Sequence, residues 1–183
     1  RRLKMRIINC EQGTSEWFEA RAGIPTASMF QAMMAGGQGK TRRAYMLKLA
    51  GEKMTGEVAE SFGNAHTELG HAMKPQAREL YCLQTGYDVQ DVGFIRADYD
   101  AGASPDSLVN DDGLLEIKSK LPHLQIEVLL SGKVPSSHLR QIYGQILIAE
   151  REWCDFVSYW PGLPLFVKRV YADDKICGEI RTE

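Results

Sequence analysis

The stretch GLLEIKS, residues 113–119, constrains the fold of this chain more than any other. It is an apolar run of strand length that nevertheless carries two opposite charges two positions apart. Side chains of an extended segment alternate between faces. Leu114, Glu116 and Lys118 therefore share one face, and Leu115 and Ile117 the other. The wholly apolar face can pack under helices, whereas the first presents a carboxylate beside an ammonium. Ten residues before Glu116, Asp106 leaves the proline turn SPD, and it converges on Glu116 if the flanking strands pair antiparallel. Two readings stay open on these residues alone. One is an ordinary Glu–Lys pair on a solvated sheet edge. The other is a set of charged groups gathered at a metal-dependent site. Two carboxylates at a strand end suit Mg²⁺, which takes oxygen donors and keeps several waters. Such an ion can polarise a phosphodiester and acidify a bound water, with a lysine to orient that water or offset charge.

Around this stretch the pattern predicts helices first and strands later. TSEWFEARAG has a helix start at Thr14 or Ser15 and a stop at Gly23, and PTASMFQAMMAGG a short helix capped by Thr26 and ended by Gly36 and Gly37. RRAYMLKLAGEKMTG is amphipathic, with Tyr45, Leu49 and Met54 on one face. Phe62 to Gly86 carries Leu69, Met73, Ala77 and Leu80 at helical spacing, with Pro75 as a start or kink. VGFIRA and GLLEIKS read as strands joined by the turn-rich DYDAGASPDSLVNDD. Helices follow near Leu121 to Leu130 and Ser136 to Glu150, then strands CDFVSYW and LFVKRVY across the turn PGLP, then DDKICGEIR as a closing helix. The expectation is an α/β fold, a mixed central sheet flanked by helices, in a single domain over residues 1–183.

A formal net charge of -2 provides no global basic field, so any nucleic-acid contact must come from local patches. KTRRAYMLK, with Lys40, Arg42, Arg43 and Lys48, is either such a patch or a solvated helix face. No apolar run reaches bilayer length, and no long apolar stretch follows RRLKMRI, so a cytoplasmic protein is expected. Cys10, Cys82, Cys154 and Cys177 are scattered without a CxxC pair and read as reduced thiols. His66, His71, His123 and His138 lack metal-ligand spacing, and Trp17, Trp153 and Trp160 sit among residues that read as core.

SPD followed by EIK resembles the PD-(D/E)XK nuclease superfamily, with its restriction-endonuclease-like core. Three further blocks, QGTSEWFEARAGIPTAS, GHAMKPQARELYCLQTG and LRQIYGQILIA, resemble the phage lambda exonuclease type of viral recombinase. The resemblance runs from about Gln12 to Tyr171. It implies a Mg²⁺-dependent enzyme, with Mn²⁺ as the alternative ion. That enzyme digests duplex DNA from 5′-phosphorylated ends, releases mononucleotides and leaves 3′ overhangs for single-strand annealing. It implies a homotrimeric ring working beside an annealing protein in a bacterial host cell.

By motif position, Asp106, Glu116 and the Ile117 carbonyl would bind metal, and Lys118 and Gln141 would hold the attacking water. Arg21, Ser28 and Ser104 fall where the family builds its 5′-phosphate pocket, a use that suits the bidentate fork of arginine. One position departs. Four residues after Gly70, where the family carries a glutamate for the metal centre, stands Lys74, which repels a cation while charged. A one-metal site, a substitution that blocks turnover and a shifted register are the readings open, and Pro75, Ala77 and Arg78 hold the register. Two alternatives therefore accompany the exonuclease: a DNA-end binding protein with weakened catalysis, and a PD-(D/E)XK endonuclease.

Overall fold

The computed structural model describes residues 5–35, 39–58 and 65–182; the expected stops at Gly36 and Gly37 and the start at Phe62 lie outside them. Strand β1 (Met5–Ile8) precedes helices α1 (Ser15–Arg21), α2 (Phe30–Met33), α3 (Lys40–Thr55) and α4 (Ala65–Thr85), with a 3-10 turn at Ala27–Met29. Strands β2 (Val89–Gln90), β3 (Phe94–Ala97), β4 (Gly102–Ala103), β5 (Ser107–Val109) and β6 (Gly113–Ser119) follow. Helices α5 (Pro122–Ser131) and α6 (Ser136–Ala149), strands β7 (Trp153–Tyr159) and β8 (Phe166–Tyr171), and helix α7 (Asp174–Thr182) complete the chain.

The expected mixed central sheet is present, and a second, smaller sheet accompanies it. The larger is mixed, in the order β2-β5-β6-β7-β8, and the smaller runs β1-β3-β4. FIRA, expected to lead towards GLLEIKS, pairs instead with β1 and β4. The antiparallel partner of β6 is β5, three residues inside the stretch expected to be turn, with Ser107 opposite Leu115. β6 runs parallel to β7, with Glu116 beside Phe156, and α5 and α6 make the crossover.

Both faces of β6 are covered, as a strand in the middle of such a sheet requires. Leu115 and Ile117 pack against Ala77 and Tyr81 of α4, together with Val157. Leu114, on the face it shares with Glu116, joins Ile142 and Ile146 of α6 and Phe156 of β7. α6 comes close to α2: a Cβ on Gly144 would lie 2.5 Å from the Phe30 ring, so only glycine lets the two elements meet.

Which faces of the helices are buried departs from the hydrophobic pattern of their sequence. Among the described side chains of α4, Ala77 and Tyr81 are buried, while Leu69 and Leu80 are exposed, and the helix continues through Pro75. In α3 the buried pair is Tyr45 and Glu52, and Met54 is 86% exposed. Glu52 is inside because it accepts the Gly23 N–H at 3.0 Å, which ties the end of α1 to α3. Thr14 and Thr26 precede helical turns in extended conformation without capping them through their side chains.

An ion pair on a buried carboxylate braces the α4 side of the sheet. Asp155 of β7 accepts both Nε and Nη2 of Arg169 on β8, each at 2.8 Å, and the Tyr81 hydroxyl at 2.7 Å. The Arg169 guanidinium stacks 3.4 Å above Trp153. Removing the carboxylate strands both donors, so Asp155→Ala is expected to cost about 3 kcal/mol of unfolding free energy. A urea titration that shows less than ~1 kcal/mol of loss would refute this bracing role.

Candidate active site

Asp106 occupies the end of the chain segment that becomes β5. Its backbone N–H donates to the Leu115 carbonyl at 2.9 Å, continuing the β5–β6 ladder. Its Oδ2 accepts the Ile117 N–H at 2.6 Å, so the side chain is pinned across the strand that carries Glu116. Behind it, Gln12 donates to the carbonyls of Pro105 and Val92, both at 2.9 Å, and Arg78 Nη2 donates to the Asp106 carbonyl at 2.9 Å. Arg78 also pairs with Asp91 at 2.7 Å.

Glu116 is buried, and each of its oxygens is held. Lys118 Nζ lies 2.7 Å from Oε1, and Gln141 Nε2 donates to the same atom at 2.7 Å. Gln145 Nε2, one turn further along α6, donates to Oε2 at 2.7 Å. Burial by itself would raise the Glu116 carboxyl, but the Lys118 charge and the Gln145 amide outweigh it and hold the group below its ordinary value. Asp106 moves the other way: burial and the nearby Glu116 charge raise it, against the pull of Lys74. Burial would lower the Lys118 ammonium, yet Glu116 keeps it raised. The structure thus brings Asp106, Glu116, Lys118 and Gln141 together, and the Ile117 N–H is the group of that residue in contact with Asp106.

A second cluster adjoins the first. The Arg21 guanidinium lies 3.7 Å above the Trp17 ring, and the Trp17 indole N–H donates to Ser104 Oγ at 2.9 Å. Trp17 is half-buried, so it forms a wall of this cluster and not the core element the sequence suggested. Ser28 Oγ is 3.2 Å from Thr26 Oγ1, and Thr26 bridges to Gly102. Arg21 and Ser28 are therefore both tied to the 102–104 segment that leads into Asp106. Burial, offset in part by Tyr45 and Glu52, brings the Arg21 guanidinium down to about 10, so it remains charged at neutral pH. Arg42 and Arg43 lie on α3, half-buried and exposed respectively.

A family model for the YqaJ-like viral recombinase domain matches residues 16–152. The chain belongs to that family. The fold is similar to the crystal structure of an alkaline exonuclease, LHK-Exo, from Laribacter hongkongensis, at 38% identity and a TM-score of 0.86. The match covers 92% of this chain and 88% of that one, and the same figures hold for LHK-Exo in complex with dAMP. A phage related exonuclease from Haemophilus somnus, at 14% identity and a TM-score of 0.64, shares the fold, with 86% of this chain and 88% of that one covered. No match was found among curated proteins. The YqaJ-like family is one of nucleases, and the chain is an enzyme of that class.

YqaJ-like nucleases generally work with a divalent metal, and the donor set can be tested for one. No group of three or more His, Cys, Asp or Glu side chains able to hold a metal occurs among the described residues. Lys74 Nζ lies 2.5 Å from Asp106 Oδ1, so all four carboxylate oxygens of Asp106 and Glu116 already receive N–H donors. Two carboxylates and two ammonium groups cancel. With Lys74 in place, the residues present do not fit a divalent ion.

Sequence reasoning missed Gln145, although its spacing of four residues from Gln141 on an apolar helix was a usable signal. Gln145 is fully buried, and its Oε1 has no partner among the described residues. Gln145→Leu strands Glu116 Oε2 and is expected to lower stability by about 1–3 kcal/mol. An unchanged denaturation midpoint would count against the role.

His138, stacked on Phe156 with ring centroids 5.5 Å apart, lies 3.0 Å from Lys120 Nζ. Burial, then the charges of Lys120 and Lys118, hold His138 down at about 4, against an ordinary 6.5. The unfolded chain therefore takes the proton first, and this contribution to stability is full above pH 6.5 and lost as pH falls towards 4. His138→Phe is expected to lose less stability than the parent chain between those limits in urea titrations at several pH values.

Proposed function

We propose that the chain is a DNA exonuclease that enters duplex DNA at 5′-phosphorylated ends and works 5′ to 3′. The observation that carries this reading is the Trp17–Ser104 hydrogen bond. It links a charged, stacked arginine to the segment two residues before Asp106. An anion-binding cluster fixed beside a carboxylate pair suits an enzyme that must hold a terminal phosphate while an adjacent phosphodiester is cut. Arg21 would grip the terminal phosphate with its planar fork, and Ser28 and Ser104 would add hydroxyl donors. Arg42 and Arg43 would follow the duplex backbone from α3.

In the hydrolytic step, Glu116 faces the attacking water, and Lys118 and Gln141 set the orientation of both. Ile117 fixes Asp106 through its N–H and would offer its carbonyl as a further oxygen. The cofactor in this reading is Mg²⁺, with Mn²⁺ as the alternative, and it requires Lys74 to vacate Asp106. Mononucleotides would be released and 3′ overhangs left for a single-strand annealing protein, with the chain acting as a homotrimeric ring in the bacterial host cytoplasm. No helix among the described residues is long and apolar enough to cross a membrane.

The Lys74–Asp106 contact favours a second reading, a DNA-end binding protein with this fold and weakened catalysis. End-labelled linear duplex, with and without a 5′-phosphate, separates the readings. The exonuclease releases labelled mononucleotides in Mg²⁺, whereas the binding protein retains the phosphorylated end uncut. Discrete fragments would identify an endonuclease. In either of the first two cases, Arg21→Ala is expected to reduce the preference for phosphorylated ends about tenfold or more, the loss of one charge-assisted contact. An unaltered preference would remove Arg21 from the pocket.

A further inference from the structure

We propose that Lys74 is a resident cation of the carboxylate pair, and that a divalent ion binds this site only by displacing it. The inference rests on reading Asp106 and Glu116 as the hydrolytic site, but not on polarity, product or DNA preference. Its basis is the arrangement of charge. The Lys74 ammonium is 2.5 Å from Asp106 Oδ1, and Asp106 is its only hydrogen-bond partner among the described residues. The Asp106 side chain is 4% exposed and the Lys74 side chain 27%, so the lysine reaches inward from water to a carboxylate that water barely touches. Its charge also acts on Glu116. Lys118 balances Glu116, and Lys74 balances Asp106. The site is thus neutral without any ion, and a divalent cation entering beside both lysines would leave a buried excess of positive charge.

The other cation of α4 is differently held. Arg78, one turn beyond Lys74, bonds to the Asp106 backbone and to Asp91 at once, which fixes it in place. Lys74 has a single hydrogen-bond partner among the described residues and a flexible stem, and it borders a cleft of about 360 Å³ that Glu11 and Asp91 also line. The cleft provides room and carboxylates for the displaced ammonium. Replacing Lys74 by a neutral side chain leaves the site one negative charge in excess, and replacing it by glutamate leaves two.

Isothermal titration of Mn²⁺ into the metal-free full chain, paired with thermal melts with and without Mg²⁺, tests the exchange. The expected order of Mn²⁺ affinity is Lys74→Glu above Lys74→Met above the parent, with at least about tenfold between parent and Lys74→Met. Mg²⁺ is expected to raise the midpoint of Lys74→Glu more than that of the parent. A variant that does not fold without an ion is expected to fold when Mn²⁺ is added. Equal Mn²⁺ affinity in parent and Lys74→Met would overturn the proposal. So would a Lys74→Glu chain that no divalent ion stabilises. The exonuclease reading fails separately, if the parent neither binds nor cuts phosphorylated duplex ends, and that result would leave the ion titrations unaffected.

Discussion

The hydrogen bond from the Ile117 N–H to Asp106 Oδ2 sets the position of everything around it. It is a side chain taking over one rung of a β-ladder whose other rungs are backbone. Because β5 is only three residues long, the Asp106 N–H to the Leu115 carbonyl is its last backbone rung, and the Asp106 carboxylate carries the pairing one step further, to Ile117. A carboxylate so held accepts a charge-assisted bond from a fixed direction and has little rotational freedom. Glu116, the residue next to Ile117, is then aligned by the pleat of β6 and brought up against α6.

Two helices divide the work of completing this centre. α6 supplies neutral amides: Gln141 and Gln145 each give Glu116 one donor, which compensates burial without adding charge. α4 supplies cations, through Lys74 and Arg78, and these act on Asp106. The two carboxylates therefore lie in different electrostatic surroundings although they sit on neighbouring strands. Glu116 is drawn down, chiefly by Lys118 of its own strand and then by the Gln145 amide, while burial and the Glu116 charge push Asp106 up against the pull of Lys74.

Much of this was legible in the residues. The alternation of GLLEIKS correctly put Glu116 and Lys118 on one face, and the helices after it lie within a residue or two of where their spacing put them. Three things were not legible, each for a physical reason. β5 lies in a stretch rich in Gly, Ser and Asp, and three residues are too few for period-two alternation to register. The burial of Glu52 and the exposure of Leu80 depend on which neighbours cover each helix face, and periodicity does not reveal neighbours. Trp17 reads as core in any hydrophobicity pattern; its use as a platform for Arg21 depends on Ser104, 87 positions away.

The parallel pairing of β6 with β7 joins Gly113 to Trp153 across the α5–α6 crossover. Both glutamines that hold Glu116 lie within that crossover, on α6. A chain still emerging from the ribosome can form the β5–β6 hairpin, which is local, long before it can close the β6–β7 contact. During that interval Glu116 is an ordinary hydrated carboxylate on an edge strand, and the donors of α6 are not yet around it. Assembly of the carboxylate pair therefore comes with closure of the central sheet as a whole, and a half-synthesised copy carries the acidic residues without the geometry that gathers them.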